Sequence, residues 1–174
     1  MIYFDNAATT KAFPEVVRIM KEAMQVIYGN PSAKHIKGME AENLIKEAQD
    51  VIAKSLKAKP GEIFFTSGGT ESNNTAIIGT AMKNHRRGKH IITSRIEHAS
   101  VYEPMRFLEE QGFEVTYLDV DKKGYLRLDE LEEAIRPDTT LVSLMFVNNE
   151  IGTVQPVKEA GEIIKKKNPE TVFH

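Results

Sequence analysis

A chain of 174 residues, 41% apolar and 28% charged, is long enough for one ordinary core and too apolar for disorder. Its formal net charge of −2, with no long basic run, argues against a nucleic-acid or anionic-membrane surface. With no cysteine, the chain has no disulfide framework, no thiolate metal site and no cysteine nucleophile within these residues.

No stretch reaches the roughly 18 apolar residues of a membrane helix. The start, Met1-Ile2-Tyr3-Phe4-Asp5, lacks the basic-then-apolar order of a secretory signal, so a cytoplasmic protein is expected. No internal repeat or low-complexity tract is visible.

Up to about Pro60 the pattern is helical. Val16, Val17, Met20, Met24 and Ile27 share one face of a first helix, which Gly29-Asn30-Pro31 stops. Ala41, Leu44, Ile45, Ala48 and Ile52 share a face of a second, ending near Pro60-Gly61. Ile63-Phe64-Phe65-Thr66 then reads as a buried strand. A helix from about Thr70 turns Ile77, Ile78, Ala81 and Met82 inward.

Next come a strand at His90-Ile91-Ile92-Thr93 and a helix carrying Val101, Met105 and Leu108. Pro104 fits that helix only in its first turn. Gly112 ends it, and Glu114 to Leu118 alternates like a strand. Asp129 is expected to cap a short helix bearing Leu131, Ala134 and Ile135. Leu141 to Val147 is a nearly continuous apolar strand. Val157, Ala160, Ile163 and Ile164 face inward on the next helix, whose C-terminus takes the cations Lys165-Lys166-Lys167. Thr171-Val172-Phe173 begins another strand.

Alternating strands and helices imply an α/β fold: three αβα layers around a mostly parallel sheet. Ligands of such sheets bind beyond the carboxyl ends of the strands. Three strand ends there are polar: Ser67-Gly68-Gly69-Thr70-Glu71, Glu97-His98 and Asn148-Asn149-Glu150. They are candidates for one shared crevice.

In the first, two glycines let the backbone turn and approach a ligand, and the following helix aims free N–H groups at it. Thr70 either caps that helix or gives its hydroxyl to an anion. A plain βα loop with a threonine cap accounts for the same residues. The loop is neither a P-loop nor the three-glycine dinucleotide fingerprint. His98 can stack on an aromatic ligand or move a proton; it can equally cap the next helix. Zinc is disfavoured, because His-Glu-x-x-His is absent and Glu97 and His98 point apart. Asn148 can donate to an oxyanion, or it can belong to a turn ended by Gly152.

Taken together, these segments resemble the N-terminal half of the cysteine desulfurases of the NifS/IscS type, within the type I fold of pyridoxal phosphate (PLP) enzymes. The matching stretches are Tyr3 to Thr10, Gly29 to Ser32, Phe65 to Asn74, Glu97-His98, Gly112 to Leu118 and Val147 to Gly152. They keep the family's order and spacing along nearly the whole chain. The stretch Thr66 to Glu71 is closer to the NifS/IscS branch than to the SufS branch, and the family often has alanine where Gly69 stands.

The resemblance implies residues 1–14 as an arm of a small domain and residues 15–174 as the first part of a PLP-binding large domain. It implies Gly69 and Thr70 on the PLP phosphate. His98 would stack on the pyridine ring and act catalytically in proton transfer. Asn148 would bond the PLP 3-oxygen near the substrate carboxylate. The implied activity converts L-cysteine to L-alanine and an enzyme persulfide that feeds iron–sulfur cluster assembly or tRNA thiolation. The implied partners are a second copy of the chain, as a homodimer, and an iron–sulfur scaffold or other sulfur acceptor. The family's pyridine-pairing aspartate, its cofactor lysine and its nucleophilic cysteine fall after the equivalent of His174, so the chain is expected to be part of a longer enzyme. A selenocysteine lyase or aminotransferase would share the same phosphate loop, and a non-catalytic binding fragment is the rival from another class.

Overall fold

The computed structural model describes residues 2–174. Contacts divide the chain into two compact units, Met1–Phe65 and Thr66–His174.

In the first unit, α1 (Pro14–Gln25) starts on a proline, whose missing N–H costs nothing at that position. Helix α2 (Ile36–Leu56) is capped by His35, whose Nδ1 accepts the Gly38 N–H at 3.2 Å. The expected apolar stripe of α1 exists but is uncovered: Val16, Val17, Met20 and Met24 are all exposed. On α2, Ala41 and Ala53 are buried and Leu44 and Ile52 half-buried, while Ile45 and Ala48 face solvent. A short 3₁₀ turn follows at Pro60–Glu62.

The buried strand expected at Ile63 to Thr66 is not formed. The segment joins no ladder among the described residues, and Phe64 is 82% exposed. β-propensity alone does not hold a strand: without a neighbour to take its N–H and C=O groups the segment has no reason to pleat.

The second unit is a parallel sheet between two helical layers. It contains α3 (Gly69–Asn84), β1 (His90–Ser94), α4 (Ala99–Glu110), β2 (Glu114–Leu118), α5 (Leu128–Ala134), β3 (Thr139–Ser143), α6 (Val157–Lys167) and β4 (Val172–Phe173). The strand order is β2-β1-β3-β4, every pair parallel, with Ile91 opposite Val115 on one side and Leu141 on the other. Because successive side chains alternate across a strand, neighbours go to opposite cores. Ile91 and Leu141 pack with Ile77, Ala81, Val101, Met105 and Leu108 of α3 and α4. Ile92 and Val142 pack with Leu131, Ala160 and Ile164 under α5 and α6. Each such buried valine, leucine, isoleucine or methionine contributes about 1.5–3 kcal/mol.

Four local expectations change. Pro104 is the sixth residue of α4, beyond its first turn. Its ring is buried, and apolar packing there offsets the backbone bond it removes. Asp129 lies inside α5 and not at its cap, which is Arg127 with no side-chain bond. The carboxylate acts from the first turn, where backbone N–H groups hold it below its ordinary range. Strand β3 begins at Thr139 and ends at Ser143, since Leu144 to Val147 leave the sheet to form a loop. Met82 is half-exposed, at the edge of the α3 stripe.

The strand order also fixes where a ligand can sit. The chain leaves β1 for β2 on one side, then crosses to β3 on the other. The two connections part between the carboxyl ends of β1 and β3, and that is the topological switch point of the sheet.

Candidate functional site

A cavity of about 510 Å³ opens at that switch point. Gly69, Thr70 and Asn73 from α3 form one wall. Glu97, His98, Ser100 and Val101 form another. The loop after β3 contributes Leu144, Met145, Val147 and Asn149, and Ser143 and His174 close the strand ends. The three polar turns singled out in the sequence therefore do converge.

The first turn is braced by its own side chains. Glu71 Oε2 accepts the Ser67 N–H at 2.7 Å and the Ser67 hydroxyl at 2.6 Å, which holds the carboxyl below its usual range. The hydroxyls of Thr66 and Ser72 meet at 2.6 Å. Neither glycine takes up a left-handed backbone. Gly68 is extended and Gly69 opens α3. Both positions are open: a Cβ added at either would meet nothing within 4 Å. Among the described residues no side chain caps α3, and the N–H groups of Gly69, Thr70 and Glu71 have no protein acceptor. The Thr70 hydroxyl has no bond to protein among the described residues. An open helix N-terminus flanked by a free hydroxyl suits a phosphate dianion.

At the second turn, His98 caps its helix and also lines the cavity. Its Nδ1 accepts the Ser100 N–H at 3.1 Å and so caps α4, while the ring stands on the cavity wall. Glu97, on the same wall, is held by protein donors. Its Oε1 accepts from the Ser94 hydroxyl at 2.6 Å and the Met145 N–H at 3.0 Å, and burial pushes its carboxyl above the ordinary range against those bonds.

The third turn supplies Asn149 to the wall, whereas Asn148 is buried beside it. Asn148 Oδ1 accepts the N–H groups of Glu150 and Ile151 at 2.9 and 3.0 Å. Its Nδ2 donates to the Ile96 carbonyl at 3.1 Å and approaches Met145 Sδ at 3.3 Å. Gly152 ends the turn at φ +71°, a conformation glycine adopts without strain.

Sequence reasoning passed over Asn73, Ser100, Ser143 and His174. Their signals were positional. Asn73 lies three residues after Thr70 on the same helical face. Ser143 and His174 sit at the ends of neighbouring strands, where His174 Nδ1 meets the Ser143 hydroxyl at 2.9 Å and burial pushes its imidazole down. Among the described residues no group of acidic, histidine or cysteine side chains has the clustering of a metal site, and no helix is long and apolar enough to cross a membrane.

Comparison with known proteins places this geometry. The chain is 52% identical over 173 residues to the cysteine desulfurase IscS of Methanosarcina thermophila, covering 99% of this chain and 42% of that protein. It is 51% identical over 165 residues to the cysteine desulfurase IscS of Dictyoglomus turgidum, covering 95% and 42%. The chain thus spans less than half the length of these relatives. A solved NifS-like protein matches with a TM-score of 0.97 at 44% identity, over 99% of this chain and 47% of that one. The structure of SspA in complex with cysteine matches with a TM-score of 0.93 at 45% identity, over 99% and 49%. The aminotransferase class-V family matches residues 2–174, all three turns of the cavity included, and the chain belongs to that family.

Proposed function

We propose that the intact protein is a PLP-dependent cysteine desulfurase and that the cavity of the second unit is its cofactor site. One observation carries the reading: an uncapped helix N-terminus and an imidazole share a cavity of cofactor size at the switch point of the sheet. The relatives named for this activity, and the neighbour solved with cysteine, support L-cysteine as substrate.

In this reading the N–H groups of Gly69 and Thr70 and the Thr70 hydroxyl hold the phosphate. The His98 ring packs on the pyridine face. Asn148 reaches the ring oxygen with its second amide hydrogen, whose present partner is only a thioether, a weak acceptor. The apolar walls, Leu144, Met145 and Val147, exclude water from the ring. When bound, PLP supplies the electron sink for a carbanion at the substrate Cα. The thiolate that accepts the sulfur has to lie outside these residues, because they include no cysteine. Residues 1–14 serve as an arm of a small domain and residues 15–174 as part of the large one. The enzyme works in the cytoplasm as a homodimer and passes sulfur to an iron–sulfur scaffold or other acceptor.

The test is the product. Intact protein loaded with PLP and given L-cysteine with a reductant is expected to release alanine and sulfide in equal amounts. Turnover of L-selenocysteine alone, or transfer of an amino group to a 2-oxo acid, would assign another activity. PLP binding with no turnover of any of these would leave a non-catalytic binding protein.

A further inference from the structure

Three polar groups beside the cavity form a directed chain whose order can be deduced. Ser100 N–H points at His98 Nδ1 at 3.1 Å. A backbone amide can only donate, so Nδ1 accepts and carries no proton. The Ser100 hydroxyl lies 2.8 Å from the same nitrogen, and against an acceptor it too must donate. Its single hydrogen is then spent. Asn73, whose Nδ2 stands 2.8 Å from Ser100 Oγ, is left to donate to it. Ser100 is 8% exposed, so water competes little for these positions.

We infer that Asn73 and Ser100 are positioning residues that lock His98 in its neutral Nε2–H tautomer, presenting a hydrogen-bond donor to whatever occupies the cavity. Nε2 is the ring nitrogen with no protein partner among the described residues. A bound molecule therefore meets an N–H at that edge and not a lone pair. His98 selects ligands with an acceptor there, and in the resting protein it does not serve as a base. Both positioning residues come from different elements, α3 and the start of α4, so the lock also ties the phosphate wall to the ring wall. The inference deepens the proposed function and rests on that reading for the identity of the ligand, but the tautomer itself belongs to the protein alone.

The test is nitrogen-15 NMR of the histidine rings in the intact protein, with His98→Gln to assign the signals. The wild type is expected to show Nδ1 in the unprotonated range and Nε2 protonated. Asn73→Asp keeps the shape but replaces the donor with an acceptor, so the Ser100 hydroxyl turns to the carboxylate. That variant is expected to move the tautomer ratio toward Nδ1–H by about fivefold, the worth of one hydrogen bond. Ser100→Ala should move it by a similar factor, and Ser100→Thr should restore it. Thermal melting of Asn73→Asp near the wild-type value shows that the fold is intact. A wild-type ring protonated on Nδ1, or a ratio indifferent to both substitutions, overturns the inference. Loss of desulfurase turnover as a reading would leave the tautomer result standing, and a wrong tautomer would leave turnover standing, so the two fail separately.

Discussion

Glu97 accepts the backbone N–H of Met145 at 3.0 Å with the same oxygen that takes the Ser94 hydroxyl at 2.6 Å. One carboxylate thereby fastens the end of β1 to the loop that leaves β3, directly beneath the cavity. Removing it leaves buried donors without acceptors. Glu97→Ala is expected to lower unfolding free energy by about 1–3 kcal/mol in denaturant titration. Glu97→Gln retains an acceptor and should stay within about 1 kcal/mol. Because burial raises the carboxyl's folded value, the charged form disfavours the fold as pH rises above about 4.5. The glutamine variant should therefore gain on the wild type as pH rises above about 4.5. Equal losses for both variants would deny the strut.

His90 predicts acid sensitivity. The ring is fully buried, with Nδ1 2.7 Å from Thr139 Oγ1 and Nε2 2.8 Å from Thr116 Oγ1, so it joins β1, β2 and β3. Burial, and then the Arg136 charge, push its imidazole below the ordinary 6.5. Folded protein binds this proton less readily than unfolded protein. The neutral ring thus stabilises the fold above pH 6.5, and that contribution is lost as pH falls through the folded value. His174 acts in the same direction. Melting temperature should fall on acidification below 6.5, less steeply in His90→Gln; identical slopes would remove His90 from the account.

Gly69→Ala tests what the glycine is for. A Cβ there meets nothing within 4 Å, and the position is helical. The substitution is expected to change stability by less than about 1 kcal/mol and to leave PLP affinity within about twofold. Thr70→Val, which removes the hydroxyl but keeps the volume, should weaken PLP by about tenfold. If the alanine proves the more damaging, the cofactor comes too close at this helical position to admit a Cβ.

His98 has two separable duties. His98→Ala is expected to cost about 1 kcal/mol through loss of the α4 cap, and to weaken PLP retention. His98→Phe loses the cap equally but keeps a ring to stack. It should hold PLP more tightly than the alanine variant while turnover stays low. An unchanged cofactor spectrum and rate in His98→Ala would end the stacking role.

Much of this site was legible from residue order alone. Glycines followed by threonine at a strand-to-helix junction, His98 and the asparagine turn mark three chain segments, and the parallel sheet brings them to one end. The run His90 to Thr93 also reads as a strand, and the structure sends Ile91 and Ile92 to opposite cores. What escaped was decided by neighbours. Phe64 and Phe65 carry strand propensity, yet a strand needs a ladder, and none forms beside them. Val16, Val17, Met20 and Met24 fall on one face of α1, yet periodicity cannot say whether a face is covered. The sequence leaves Asn148 either as a donor to an oxyanion or as part of a turn; its Oδ1 holds the turn, while one amide hydrogen meets only a thioether.

The central claim is that the N-terminus of α3 holds the cofactor phosphate beside His98. The most direct measurement compares the affinity of the cofactor-free intact protein for PLP and for pyridoxal, which lacks only the phosphate. Charge-assisted bonds to the open helix end should favour PLP by about 100-fold or more, with the gap narrowed in Thr70→Val. Equal affinities, or a gap that Thr70→Val leaves unchanged, would contradict it.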